Sequence, residues 1–114
     1  MTDPAKVVKY SDMLRIIHEP EKVIVDVRNP EELKETGKIP SSMNIPLGNL
    51  RDALSMSEAD FKKQYLREKP TQSTDIIFYC KSGVRASNAR DQALELGYSK
   101  SKTYIGSWTD WSNH

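Results

Sequence analysis

Two short runs rich in β-branched and aromatic side chains, VIVDV (23–27) and DIIFY (75–79), do most to limit what this chain can fold into. Neither alternates apolar with polar residues, so each reads as a strand covered on both faces. Each also leads into a helix. After Val27 come Asn29, Pro30, Glu31 and Glu32: an N-cap residue, a proline suited to the first helical position, and two acids at the positive end of the helix dipole. Gly37 closes that helix. Beyond Tyr79, the residues Ala86, Ala89, Ala93 and Leu96 mark one face of a second helix, and Gly97 stops it. Doubly covered strands alternating with helices imply an α/β fold: an open, mainly parallel sheet of about five strands with helices on both faces.

The remaining segments fit this plan. Lys6–Tyr10 is expected to be a short strand, with Ser11 capping a helix that buries Leu14 and Ile17. Two prolines around Met43 and Ile45 suit a loop with one short strand. Ser57 and Asp60 have capping-box spacing ahead of Phe61 and Tyr65, four residues apart. Thr103–Ile105 is expected as a last strand, with Ser107 capping a closing helix that carries Trp108 and Trp111. No repeat or Gly/Ser-rich linker divides the chain, and 114 residues suit a single domain over 1–114 with its core at about 6–111.

Composition narrows the function. A formal charge of +1 gives no electrostatic reason to expect nucleic acid or an anionic membrane as partner. The run Ile76–Tyr79 is far too short to cross a bilayer. The start, Met1-Thr2-Asp3-Pro4, carries an acid, lacks an apolar run and is followed by no Arg before Arg15. A cytoplasmic location is therefore expected, with no transit-peptide signal to favour mitochondria. One cysteine forms no internal disulfide, and two histidines, His18 and His114, offer few metal ligands. His18 is expected at the surface and His114 to be mobile. No metal and no cofactor are expected.

In parallel sheets, sites form where loops leave the carboxyl ends of the strands. One such loop is Cys80-Lys81-Ser82-Gly83-Val84-Arg85. A cysteine at a strand end is often a plain core residue. Its neighbours argue otherwise. Gly83 permits backbone angles that turn successive N–H groups into an anion-binding cradle, and the helix starting near Ala86 adds unpaired N–H groups. Arg85 adds a forked positive charge. A thiol so placed is expected below its usual pKa of about 8.5 and reactive as thiolate.

These segments together resemble the rhodanese family of sulfurtransferases. VIVDVRNPEE (23–32) is similar to that family's strand–Asp-x-Arg–helix segment, and GKIPSSMNIP (37–46) to its Gly-His-Ile-Pro-Gly-Ala-x-Asn-Ile-Pro stretch, departing at Lys38, Ser41 and Ser42. CKSGVRA (80–86) matches the six-residue active-site loop, and LGY…YIGSWTDW (96–111) resembles the closing segment. The middle segment, 53–70, brings the likeness nearest to single-domain thiosulfate:glutathione sulfurtransferases and heat-shock-type rhodaneses. The resemblance implies that Cys80 takes the outer sulfur of thiosulfate or another sulfane donor, expels sulfite and carries a persulfide. Lys81, Ser82, Gly83, Val84, Arg85 and Ala86 would then form the substrate-binding loop, with Arg85 helping to hold the anionic donor. With no second cysteine in the chain, the acceptor must come from outside: glutathione, another thiol, cyanide or a protein thiol.

Other residues carry plainer readings. Asp26 and Arg28 lie at a strand end but are read as structural, Asp26 satisfying loop N–H groups and Arg28 pairing with an acid such as Glu32. Trp108 and Trp111 are expected to dock the last helix. Lys62, Lys63, Arg67 and Lys69 form a solvated basic face. Two other functions compete: a persulfide carrier serving one protein partner, and a Cys-dependent phosphatase or arsenate reductase. Phosphatase loops place five residues between Cys and Arg; here there are four, Lys81 to Val84, and a shorter cradle suits sulfane sulfur better than phosphate.

Overall fold

The VIVDV and DIIFY runs become neighbouring parallel strands at the centre of the molecule, which is a computed structural model describing residues 4–114. The reading of the first three residues, Met1 to Asp3, lies outside the described residues. Strands β1 (Val7–Val8), β2 (Val23–Asp26), β3 (Ser42–Asn44), β4 (Ile76–Tyr79) and β5 (Ser101–Tyr104) form one sheet in the order β1-β5-β4-β2-β3, with every pairing parallel. Asp26 of β2 lies opposite Tyr79 of β4, so the two strands end side by side. From β2 the chain moves outward to β3, then returns across the sheet to β4. The loops after β2 and β4 therefore leave the carboxyl edge at a topological switch point, where ligands bind in such sheets.

Side-chain alternation along β4 builds two cores. Ile76, Phe78 and Cys80 face the layer of α3 (Leu50–Ser55), α4 (Glu58–Tyr65) and α5 (Val84–Glu95), joined there by Phe61, Ala86, Ala89 and Ala93. Ile77 and Tyr79 face the other side, with Met13, Ile16 and Tyr104 under α1 (Tyr10–Ile16) and α6 (Ser107–Ser112). This is why both strands lack polar alternation: each face is buried, and each large apolar side chain removed from water contributes about 1.5–3 kcal/mol. The three buried alanines let α5 approach the sheet closely. Helix α2 (Pro30–Thr36) buries no residue completely, and its Asn29 N-cap and Pro30 start match the sequence pattern.

Several local expectations shift. The first strand is only Val7–Val8, because Tyr10 already belongs to α1. That helix is capped at Lys9, whose N–H donates to the Asp12 carboxylate at 3.0 Å, rather than at Ser11. The buried positions are accordingly Met13 and Ile16; Leu14 is exposed and Ile17 only partly buried. Helix α3 was not anticipated. Ser57 does cap α4, accepting the Asp60 N–H at 3.1 Å, and Phe61 and Tyr65 meet with ring centroids 4.8 Å apart. Ile105 falls just beyond β5. Trp108 and Trp111 pack against the α1-side core, as expected of docking residues. His114 stacks on Tyr10, ring centroids 3.6 Å apart, instead of trailing free.

Candidate active site

Cys80 follows β4 directly and is the free cysteine of the chain. Its residue is 1% exposed, so the sulfur lies at the base of the loop rather than on its rim. The Gly83 N–H donates to Cys80 Sγ at 3.1 Å. Gly83 adopts φ +99°, and a Cβ there would sit 2.6 Å from the Ile105 carbonyl oxygen. Both the left-handed backbone and the lack of space exclude a side chain, so the glycine is what aims this amide at the sulfur. Immediately after it α5 begins, and the N–H groups of Val84, Arg85 and Ala86 belong to a first turn with no intrahelical acceptors. The amides and the helix dipole together favour negative charge on sulfur.

The Cys80 backbone is clamped from the far side by α6. Cys80 N–H donates to Ser107 Oγ at 3.1 Å, and Ser107 Oγ–H donates in turn to the Tyr104 carbonyl at 2.9 Å. The Cys80 and Lys81 carbonyls accept the N–H groups of Trp108 and Thr109 at 2.9 and 3.0 Å. Ser107 is thus not the expected helix cap. The N-cap is Gly106, and Ser107 sits buried at φ +54°, its hydroxyl spent on the cysteine peptide. Sequence reading missed this role because nothing in Gly106-Ser107 shows which distant N–H the hydroxyl will meet.

The other loop residues divide by exposure. Lys81 and Ser82 are exposed, Val84 is 77% exposed, and Ala86 is wholly buried beneath the loop. The Arg85 guanidinium grips Glu32 of α2 with two bonds of 2.8 and 2.9 Å. Glu32 also accepts the Asn29 N–H at 2.8 Å. The Arg85 hydrogen bonds are the main reason its carboxyl is lowered to about 2 from an ordinary 4.5. Arg85 is held still more firmly protonated, first by Glu32, with smaller contributions from the nearby Cys80 and Asp26.

Arg28 does not pair with Glu32. Its Nε and Nη2 donate to both carboxylate oxygens of Asp26 at 2.8–3.1 Å, while Nη1 reaches Thr36 Oγ1 and Nη2 reaches the Gly37 carbonyl. Asp26 also accepts the Arg28 N–H at 2.9 Å, which is the loop-satisfying role expected of it. Both residues are buried, and the guanidinium lies 5.0 Å from the centre of the Trp108 ring. Burial opposes the charge on Arg28, but Asp26 outweighs it and the guanidinium stays charged. The missed signal was spacing: at a strand end, residues two apart share a face. Among the described residues, no three His, Cys, Asp or Glu side chains gather as a metal site requires.

Fold and site define a small parallel α/β domain with one cysteine in an amide-lined loop and a guanidinium beside it. The family model for the rhodanese-like domain matches residues 10–114, and the chain belongs to that family. It is 40% identical to a mouse protein named thiosulfate sulfurtransferase/rhodanese-like domain-containing protein 3, over 93% of this chain and 68% of that one. It is also 40% identical to the thiosulfate:glutathione sulfurtransferase of Saccharomyces cerevisiae, covering 92% of this chain and 76% of the relative. A solved human single-domain sulfurtransferase superposes with a TM-score of 0.89 at 31% identity, covering 95% and 96% of the two chains. A fission-yeast and a budding-yeast relative are named as mitochondrial. No helix among the described residues is long and apolar enough to cross a membrane.

Proposed function

We propose that this rhodanese-family sulfurtransferase moves sulfane sulfur from thiosulfate to glutathione through a persulfide on Cys80. The observation that carries the assignment of the nucleophile is the Gly83 N–H directed at Cys80 Sγ, 3.1 Å away, at the carboxyl end of β4. In the first step the Cys80 thiolate attacks the outer sulfur of thiosulfate; the S–S bond of the donor breaks and sulfite leaves with its electron pair. The persulfide anion keeps its charge on the terminal sulfur, where the N–H groups of residues 81 to 86 stabilise it without reorganising. In the second step the glutathione thiolate attacks that terminal sulfur. Glutathione persulfide departs and Cys80 returns as thiolate. With cyanide as acceptor the product is thiocyanate.

Arg85 serves the donor step by charge, and Asp26 with Arg28 holds the neighbouring loop in place. The chain acts as one unit in this reading, with its working core at about residues 6–111. A cytoplasmic location is part of this proposal, and cell fractionation tests it against the mitochondria.

Intact-mass measurement tests the core of this proposal. After incubation with thiosulfate, the wild type should gain one sulfur that glutathione removes, and Cys80→Ser should gain none. A wild type that stays unmodified while hydrolysing an aryl phosphate would overturn it.

A further inference from the structure

We propose that Ser107 is a positioning residue for sulfur transfer. Its hydroxyl wedges the end of β4 apart from β5, so that loop carbonyls turn to α6 and loop amides turn to the Cys80 sulfur. The proposal rests on Cys80 as the persulfide carrier and adds what sets its geometry. The ladder between the two strands is the first argument. The Ile76 N–H donates to the Lys100 carbonyl at 3.3 Å, and Phe78 lies opposite Thr103. Parallel pairing repeats every two residues, so the same ladder carried forward would take the Cys80 N–H to the Tyr104 carbonyl. Ser107 Oγ stands between them instead. It accepts from the Cys80 N–H at 3.1 Å and donates to the Tyr104 carbonyl at 2.9 Å. One rung of the sheet is replaced by a side-chain hydroxyl.

The replaced rung lies where strand becomes loop. A direct bond would hold Cys80 in line with β5; the inserted hydroxyl keeps the two chains apart. The carbonyls that follow are taken up by α6. The Cys80 carbonyl accepts the Trp108 N–H at 2.9 Å, and the Lys81 carbonyl accepts the Thr109 N–H at 3.0 Å and Thr109 Oγ1–H at 2.8 Å. In a trans peptide C=O and N–H point opposite ways, so the Lys81 and Ser82 N–H groups turn away from α6. Helix α6 packs with the core on one sheet face, and the Cys80 side chain joins the core on the other. The amides therefore turn to the side on which the sulfur lies, while the oxygens of Cys80 and Lys81 are held off it. The Gly83 N–H, 3.1 Å from Sγ, completes the same arrangement.

The backbone of Ser107 points the same way. It is wholly buried at φ +54°, a left-handed conformation that strains any residue with a side chain and that glycine adopts freely. Glycine would suit this backbone better and would lack only the hydroxyl. Ser101 gives the contrast. It is equally buried, and its Oγ donates to the Tyr98 carbonyl at 2.8 Å, but it sits at the amino end of β5. That hydroxyl fastens the chain without touching the loop.

Three variants, Ser107→Gly, Ser107→Ala and Ser101→Ala, separate positioning from folding. One readout is the pH midpoint of Cys80 thiolate formation, followed by ultraviolet absorbance against Cys80→Ser. The other is the single-turnover rate of sulfur loading from thiosulfate. Both Ser107 variants should raise the midpoint by about one unit and slow loading about tenfold, the size of one lost charge-assisted hydrogen bond at sulfur. They should do so alike, although Ser107→Gly relieves the strained backbone and should melt above Ser107→Ala. Ser101→Ala should lower Tm and leave both readouts unchanged. A wild-type midpoint or a wild-type loading rate in Ser107→Gly would overturn the proposal, as would a loss of loading that follows Tm across all three variants. A Ser107→Gly chain that does not fold would make the hydroxyl a structural strut and overturn it too. A wild type that never takes sulfur from thiosulfate would instead bring down the Cys80 reading itself, whatever the variants do.

Discussion

The junctions after β2 and β4 are built on one plan and end in opposite states. Both leave adjacent central strands at the same edge, both lead into a helix, and both carry an arginine close to that helix. After β2, Arg28 folds back onto Asp26 and makes five side-chain hydrogen bonds inside the protein. After β4, the position corresponding to Asp26 belongs to the end of an apolar run, and no carboxylate within the loop neutralises Arg85. Its partner comes from the other junction, as Glu32 of α2. The difference teaches how one fold separates support from chemistry. A junction that satisfies its own charge becomes a buried post, whereas the β4 junction takes its counter-charge from outside the loop and leaves the first-turn amides of α5 without intrahelical acceptors, the features of an anion cradle.

The largest effect should come from breaking the self-satisfied junction. Arg28→Met leaves Asp26 buried beside an apolar chain, and removing one partner of a buried pair destabilises by about 3–5 kcal/mol. Chemical denaturation measures this; a loss below about 1 kcal/mol would show that the β2 junction is not a post. Gly83→Ala should act on chemistry more than on stability. The added Cβ meets the Ile105 carbonyl and the positive φ strains alanine, so the Gly83 N–H has to move away from Sγ. Loss of one donor aimed at developing charge lowers the rate by about 10²-fold. Single-turnover sulfur loading reads the loss, and a rate within about threefold of wild type would remove this amide from the mechanism.

The two junctions were not equally legible in sequence. The strand runs, the Asn29-Pro30 start and the CKSGVR loop could be read because each depends on local chemistry: burial on both faces, capping, and a glycine that only one backbone shape needs. The partners could not be read so directly. Glu32, the acid expected to pair with Arg28, lies within the helix that Arg28 precedes. The strand rule of two-residue spacing leads to Asp26 and leaves Glu32 for a residue 53 positions away. Ser107 was hidden more deeply: its contact joins the end of β5 to the end of β4, and only the sheet order brings them together.

The smallest effect concerns the link between the junctions. Glu32→Gln removes the carboxylate that engages Arg85 and leaves the guanidinium available to thiosulfate. The pair is about one-third exposed, with side-chain exposures of 34% and 29%, so its contribution is closer to a screened surface pair than to a buried one. An effect of about 0.5–1 kcal/mol predicts a thiosulfate KM lowered about 2–5-fold at pH 7. The pH dependence has a fixed sign. The folded-state pKa of Glu32 is about 2 against an ordinary 4.5, a depressed acid, so its stabilisation is complete above about 4.5 and is lost as pH falls from there through about 2. The Tm difference between wild type and Glu32→Gln should therefore be constant from pH 8 to about 5 and close below that. An unchanged or raised thiosulfate KM in the variant would mean that Glu32 positions Arg85 for the donor instead of competing with it, and the β4 junction would then depend on the β2 junction for its chemistry as well as its support.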